Sequence, residues 1–168
     1  MKYTSIIFLS QFEALQIKPR PDTVMISLIV PEIPVSFMPG FRDVLQLAMH
    51  DISEERINVS IGAIPDEADH PLSYEYEDTL YIWPDMHHAR SILAFLEKHE
   101  CDASHIIVHC TQGKSRSSAV AKFASKKYHL SLLNTDPAYF DMVAMTDTSR
   151  ANPRLLRLLD NANKKELA

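Results

Sequence analysis

At 168 residues the chain has the length of one ordinary domain, and a composition of 46% hydrophobic and 23% charged residues is that of a globule, not of a disordered or fibrous protein. Seventeen Lys and Arg against 22 Asp and Glu leave a formal net charge of -5, which argues against general nucleic-acid binding and against adhesion to anionic membranes by bulk charge. Two cysteines, Cys101 and Cys110, are too few for a disulfide scaffold, and no C-x-x-C pair suggests a structural zinc site.

The chain opens on Lys2 and a short apolar run, Ile6-Ile7-Phe8-Leu9, which is briefer than a secretory h-region and reads as a first strand. No apolar run approaches the roughly 18 residues of a membrane span. The expectation is a soluble, cytoplasmic protein without membrane or nucleic-acid partners. Residues 3–9, 23–30 and 44–48 form three β-branched or apolar runs bounded by Pro, Gly or polar residues, as strands of one sheet would be. Between the first two, residues 11–17 suit a short helix stopped by Lys18-Pro19-Arg20-Pro21, because proline lacks a donor and restricts its predecessor.

From 53 to 82 the pattern dissolves into acidic and aromatic residues with Pro65 and Pro71, which predicts a long loop or insertion of the kind that serves as a lid. Order returns at Pro84-Asp85, where a capping carboxylate precedes Ala89, Ile92, Leu93 and Leu96 at helical spacing, ending near His99. Ile106-Ile107-Val108 is a continuous apolar run of the sort found in buried parallel strands. A second helix follows with Val120, Phe123, Ala124 and Tyr128, and the Leu155, Leu156, Leu158, Leu159 stripe marks a last, core-facing one. The pattern predicts a single α/β domain over 1–168, with a central mixed, mainly parallel sheet flanked by helices.

The segment between the fourth strand and its helix, His109-Cys110-Thr111-Gln112-Gly113-Lys114-Ser115-Arg116-Ser117, carries the chemistry. A strand, a small polar loop and a helix N-terminus aim successive backbone N–H groups at one centre, where the helix dipole also favours an anion. Thr111, Gln112, Gly113, Lys114, Ser115 and Arg116 are the candidate phosphate-binding residues. A cysteine facing such donors and a guanidinium has a depressed pKa, and its thiolate is the nucleophile. Arg116 can grip two phosphate oxygens through its planar fork. Gly113 supplies a permissive backbone, and Ser117 is placed to donate to the Cys110 sulfur. Gly113-Lys114-Ser115 echoes a nucleotide-binding loop, but Val108 stands where that motif demands glycine.

His-Cys-x5-Arg-Ser, residues 109–117, resembles the phosphate loop of the cysteine-dependent protein tyrosine and dual-specificity phosphatases. The chain is most similar to a group of small bacterial proteins taken to be tyrosine phosphatases. That similarity includes the segment ending in His50-Asp51-Ile52 and the start of the last helix, Ala151-Asn152-Pro153-Arg154-Leu155, with 53–82 departing as an insertion. The resemblance implies hydrolysis of a phosphorylated protein or small phosphoester through phosphocysteine, without metal or organic cofactor. Cys110 would be the nucleophile, Arg116 would bind phosphate, and Ser117 would help break down the intermediate.

Such a reaction needs a general acid, and three aspartates compete. Asp51 ranks first because a strand-end position projects into the crevice where ligands sit in α/β sheets. Asp78, 32 residues before Cys110, is the rival. Asp85, despite standing in Trp83-Pro84-Asp85, is better explained as a helix cap. Lys114 leaves open a more highly phosphorylated substrate such as a phosphoinositide. The competing readings are a catalytically weak phosphate-binding module and sulfur transfer of the rhodanese kind. His87, His88 and His99 do not share one helix face and predict no metal site. Cys101 is expected to be an inert buried residue, and Lys126-Lys127 a solvated face.

Overall fold

The computed structural model describes residues 2–54, 65–66, 73–76, 78–132 and 146–166. The elements follow the sequence pattern closely: β1 (Ser5–Ser10), α1 (Gln11–Ala14), β2 (Thr23–Ile29), β3 (Asp43–Ala48), β4 (Ser73–Tyr76), β5 (Thr79–Ile82), α2 (Met86–His99), β6 (His105–Cys110), α3 (Arg116–Tyr128) and α4 (Pro153–Glu166). The main sheet has the order β1-β6-β2-β3, and every pairing within it is parallel. β6 lies between β1 and β2, and its apolar run is continuous because both faces of the sheet are covered there, Ile106 and Val108 on one side and Ile107 on the other. Edge strand β3 alternates instead between half-buried and exposed residues.

One face of the sheet, carrying Ile6, Phe8, Val24, Ile26, Leu28, Ile106 and Val108, packs against α2, α3 and α4 through Ile92, Leu93, Leu96, Val120, Phe123, Leu155, Leu158 and Leu159. Each such side chain, fully buried, contributes about 1.5–3 kcal/mol. The opposite face is covered more thinly, with Ile7, Leu9, Met25 and Ile107 packing against Ala14 and Ile17 of the α1 region and against Phe37 and Phe41. The architecture is thus the expected α/β arrangement, with all three long helices on one face.

The antiparallel pairing lies outside that sheet. Part of the expected long loop is a hairpin, β4 with β5, in which Asp78 adopts φ 61° at the turn, a left-handed conformation that Asp tolerates better than most residues. The rest of the 53–82 segment, on which the expectation of a lid falls, lies mainly outside the described residues. The described parts are tethered. Ile82 donates its N–H to His50 Nδ1 at 2.9 Å, and the His50 N–H donates to Ile82 O at 2.8 Å. Arg154 of α4, fully buried, donates to Pro84 O at 2.6 Å and Pro65 O at 3.0 Å, pairs with Glu54, and lies 5.5 Å from the Trp83 ring centroid. A buried guanidinium is tolerable only with such a full set of partners.

Two further expectations are corrected. Cys101 is exposed, not buried, because it sits in the turn after α2. Lys127 is bound to Glu97 at 2.9 Å and Asn163 at 2.7 Å, joining α3 to α2 and α4, because all three helices pack on the same face of the sheet. Among the described residues, no helix is long and apolar enough to cross a membrane.

Candidate active site

Cys110 is the last residue of β6, in register with Ser10 at the end of β1, and Arg116 is the first residue of α3. The five residues between them turn tightly against the end of β1. Gly113 has φ +70°, and a Cβ there would lie 2.5 Å from both Leu9 C and Ser10 N, so a side chain would collide with backbone. The loop is fastened by Gln11 N–H to Thr111 O at 3.3 Å. Ser118 Oγ closes its other end, donating towards Lys114 O at 2.8 Å and Ser115 O at 3.0 Å. Ser115, at the N-cap of α3, makes no side-chain cap bond. The first-turn N–H groups therefore have no side-chain acceptor from the cap, which is the condition for binding an external anion.

The Cys110 thiol is buried, and burial by itself would push its pKa up. The Ser117 hydroxyl, whose Oγ lies 3.2 Å from the sulfur, the backbone N–H groups of Ser117 and Ser115, and the Arg116 charge together outweigh that, and the net direction is down. Arg116 is 3% exposed. It donates through Nη1 to Met49 O at 2.6 Å and through Nη2 to Thr111 Oγ1 at 2.8 Å. Its Nε–H is buried without a hydrogen-bond partner among the described residues. An unpartnered donor in a buried guanidinium costs free energy that a bound oxyanion would recover.

Asp51 is exposed, just past β3, at the rim of the same pocket. Its Oδ1 accepts from Ser115 Oγ at 2.5 Å and from Asn152 Nδ2 at 2.8 Å. The remaining candidates sit elsewhere. Asp78 is exposed in the β4–β5 turn and does not line the pocket. Asp85, 1% exposed, caps α2: its Oδ1 accepts from His88 N–H at 3.1 Å, and its own N–H donates to His88 Nδ1 at 3.2 Å. His88 Nε2 in turn lies 3.1 Å from Ala48 O, next to the Met49 carbonyl that holds Arg116.

The pocket encloses about 190 Å³ and is lined by Asp51, Cys110, Thr111, Gln112, Lys114, Ser115 and Arg116. The sequence-predicted residues therefore meet at one place, except that Ser117 lies beneath the sulfur and Gly113 against β1. A larger open groove of about 500 Å³ runs along the β3 edge between Val35, Phe37, Phe41 and Gln46, but no nucleophile lines it. Among the described residues no group of three or more His, Cys, Asp or Glu is arranged to hold a metal. His99 is engaged between Asp43 and Asp102, at 2.9 Å from each.

Sequence reasoning missed Asn152. It is fully buried, caps α4 by accepting from Leu155 N–H at 3.0 Å, and donates to Asp51 and to Ile52 O at 3.0 Å. Its backbone N–H also donates to Ser115 O at 3.0 Å. The Asn152-Pro153 pair, a capping residue followed by proline at the first helical position, signals the cap but not its second use. The chain matches no family model and no curated protein.

Proposed function

We propose that the protein is a cysteine phosphatase that hydrolyses phosphomonoesters, of a phosphorylated protein or a small phosphoester, through a phosphocysteine intermediate. The observation that carries this reading is the setting of Cys110 Sγ: 3.2 Å from Ser117 Oγ, facing the N–H groups of Ser115 and Ser117 and the Arg116 charge, in a pocket sized for a phosphoryl group. In the first step Cys110 thiolate forms an S–P bond in line as the ester O–P bond breaks. The loop N–H groups and Arg116 hold the equatorial oxygens, which need charge stabilisation in the transition state. Asp51, the aspartate at the pocket rim, protonates the leaving oxygen. In the second step Asp51 takes a proton from water as the water attacks phosphorus. The S–P bond breaks, phosphate leaves, and Ser117 Oγ–H stabilises the returning thiolate.

The test is turnover of p-nitrophenyl phosphate and of a phosphotyrosyl peptide by the parent chain and by Cys110→Ser. Turnover by the parent that Cys110→Ser abolishes supports the reading. If the parent binds inorganic phosphate yet hydrolyses neither substrate, the site is a phosphate-binding module and the enzyme reading is rejected.

A further inference from the structure

A row of polar side chains, buried at His109 and Ser27 and reaching the surface at Gln46, crosses the sheet behind the phosphate loop. His109 of β6, Ser27 of β2 and Gln46 of β3 are register partners on three adjacent strands, with Ser27 opposite both of the others. Gln46 Nε2 donates to Val35 O at 2.9 Å and to Ser27 Oγ at 3.3 Å. Ser27 Oγ and His109 Nε2 are 2.7 Å apart, and both residues are fully buried. The direction of that last bond follows from proton counting. Ser27 Oγ already accepts from Gln46, and His109 Nε2 is its only other hydrogen-bond partner among the described residues. Were Nε2–H the donor, the buried Ser27 hydroxyl proton would have no acceptor and Nδ1 no donor among the described residues, two unmet groups against the single Nδ1–H of the other tautomer.

Burial, aided by the Arg116 charge, pushes the His109 pKa down to about 4, so the ring carries one proton at neutral pH. With Nε2 accepting, that proton is on Nδ1. Nδ1 has no hydrogen-bond partner among the described residues, and the Cys110 backbone is the adjacent group that favours a ring proton. The peptide after Cys110 is the first of the phosphate loop. A ring N–H beside it draws the carbonyl dipole back, leaving the loop N–H groups to converge on the sulfur.

We propose that Ser27 is a positioning residue for this site: its hydroxyl, oriented by Gln46, fixes His109 as the Nδ1–H tautomer and so holds the Cys110 peptide in the orientation that favours the thiolate. The inference rests on the reading of Cys110 as nucleophile, but its test requires no turnover. In a Cys101→Ser background, the pH dependence of Cys110 alkylation by iodoacetamide is measured for the parent, Ser27→Ala and Ser27→Thr. The His109 tautomer is read in parallel by ¹⁵N NMR of histidine-labelled protein.

The expected result is Nδ1–H in the parent and about a fivefold slower alkylation of Ser27→Ala below neutral pH, one hydrogen bond's worth of thiolate stabilisation. Ser27→Thr, which keeps the hydroxyl, retains the parent's rate and tautomer. Observation of Nε2–H in the parent overturns the proposal, and does so even if Ser27→Ala fails to fold. An unchanged alkylation profile in a folded Ser27→Ala overturns it as well. Loss of phosphatase turnover with these readouts intact would instead count against the enzyme reading alone.

Discussion

Replacing the Asn152 side chain removes the joint between the loop that carries Asp51 and α4, while its backbone N–H bond to Ser115 O remains. In Asn152→Ala the Leu155 N–H loses its cap, which costs about 1 kcal/mol. Ile52 O loses its Nδ2 donor within a buried residue, which costs roughly 1–3 kcal/mol. The bond to Asp51 adds little, because that side chain is exposed and water replaces the donor. The expected loss is about 3 kcal/mol, a large part of the roughly 5–15 kcal/mol of a typical domain. At this chain length it corresponds to a fall in Tm of roughly 6–12 °C.

Asn152→Asp separates the contributions. Its carboxylate still caps Leu155, but it presents an oxygen instead of a donor to Asp51 Oδ1, which in the parent is 2.8 Å from Nδ2. Two facing carboxylates raise the folded-state pKa of the pair above its unfolded value, so the folded form binds more protons. Stability of this variant relative to the parent is therefore lowest near neutral pH and recovers as pH falls through the raised pKa. Urea unfolding of both variants and the parent at about pH 7 and about pH 4.5 tests this. An Asn152→Ala loss under about 1 kcal/mol, or an Asn152→Asp deficit that does not shrink at the lower pH, would refute the reasoning.

Three other outcomes follow from the same geometry. Gly113→Ala combines a left-handed φ with a Cβ 2.5 Å from the β1 backbone; a loss of about 1–3 kcal/mol in urea unfolding and weaker phosphate binding by calorimetry are expected. Ser117→Ala removes the hydroxyl 3.2 Å from the sulfur and should raise the Cys110 thiol pKa in alkylation profiles, with a burst of released phenol as phosphocysteine breakdown slows. Asp43 is held at about 2, the Lys98 hydrogen bond leading, burial opposing it and His99 assisting. Its folded pKa is depressed, so its contribution is present above the usual 3.8 and is lost as pH falls towards about 2; acid unfolding of Asp43→Asn should be shallower than the parent's over that window.

What the sequence by itself determined was local. The Ile106–Val108 run, the proline-bounded strands and the capping residues of α2 are short-range patterns, and their physics acts within a few residues. The same holds for the 110–116 loop, because its cysteine, glycine and arginine fall within seven consecutive positions that span the strand-to-helix turn. The β4–β5 hairpin escaped notice because its strands are only four residues each, too short for a periodic pattern to stand out. Tertiary structure alone decided the partners that the chain brings from afar. Asn152 meets Asp51 across 101 residues, Met49 meets Arg116 across 67, and Ser27 meets His109 across 82. Those bonds exist because a parallel sheet places the C-terminal ends of β3, β2 and β6 side by side. Strand order is set by the sum of long-range packing, which no single stretch of residues records.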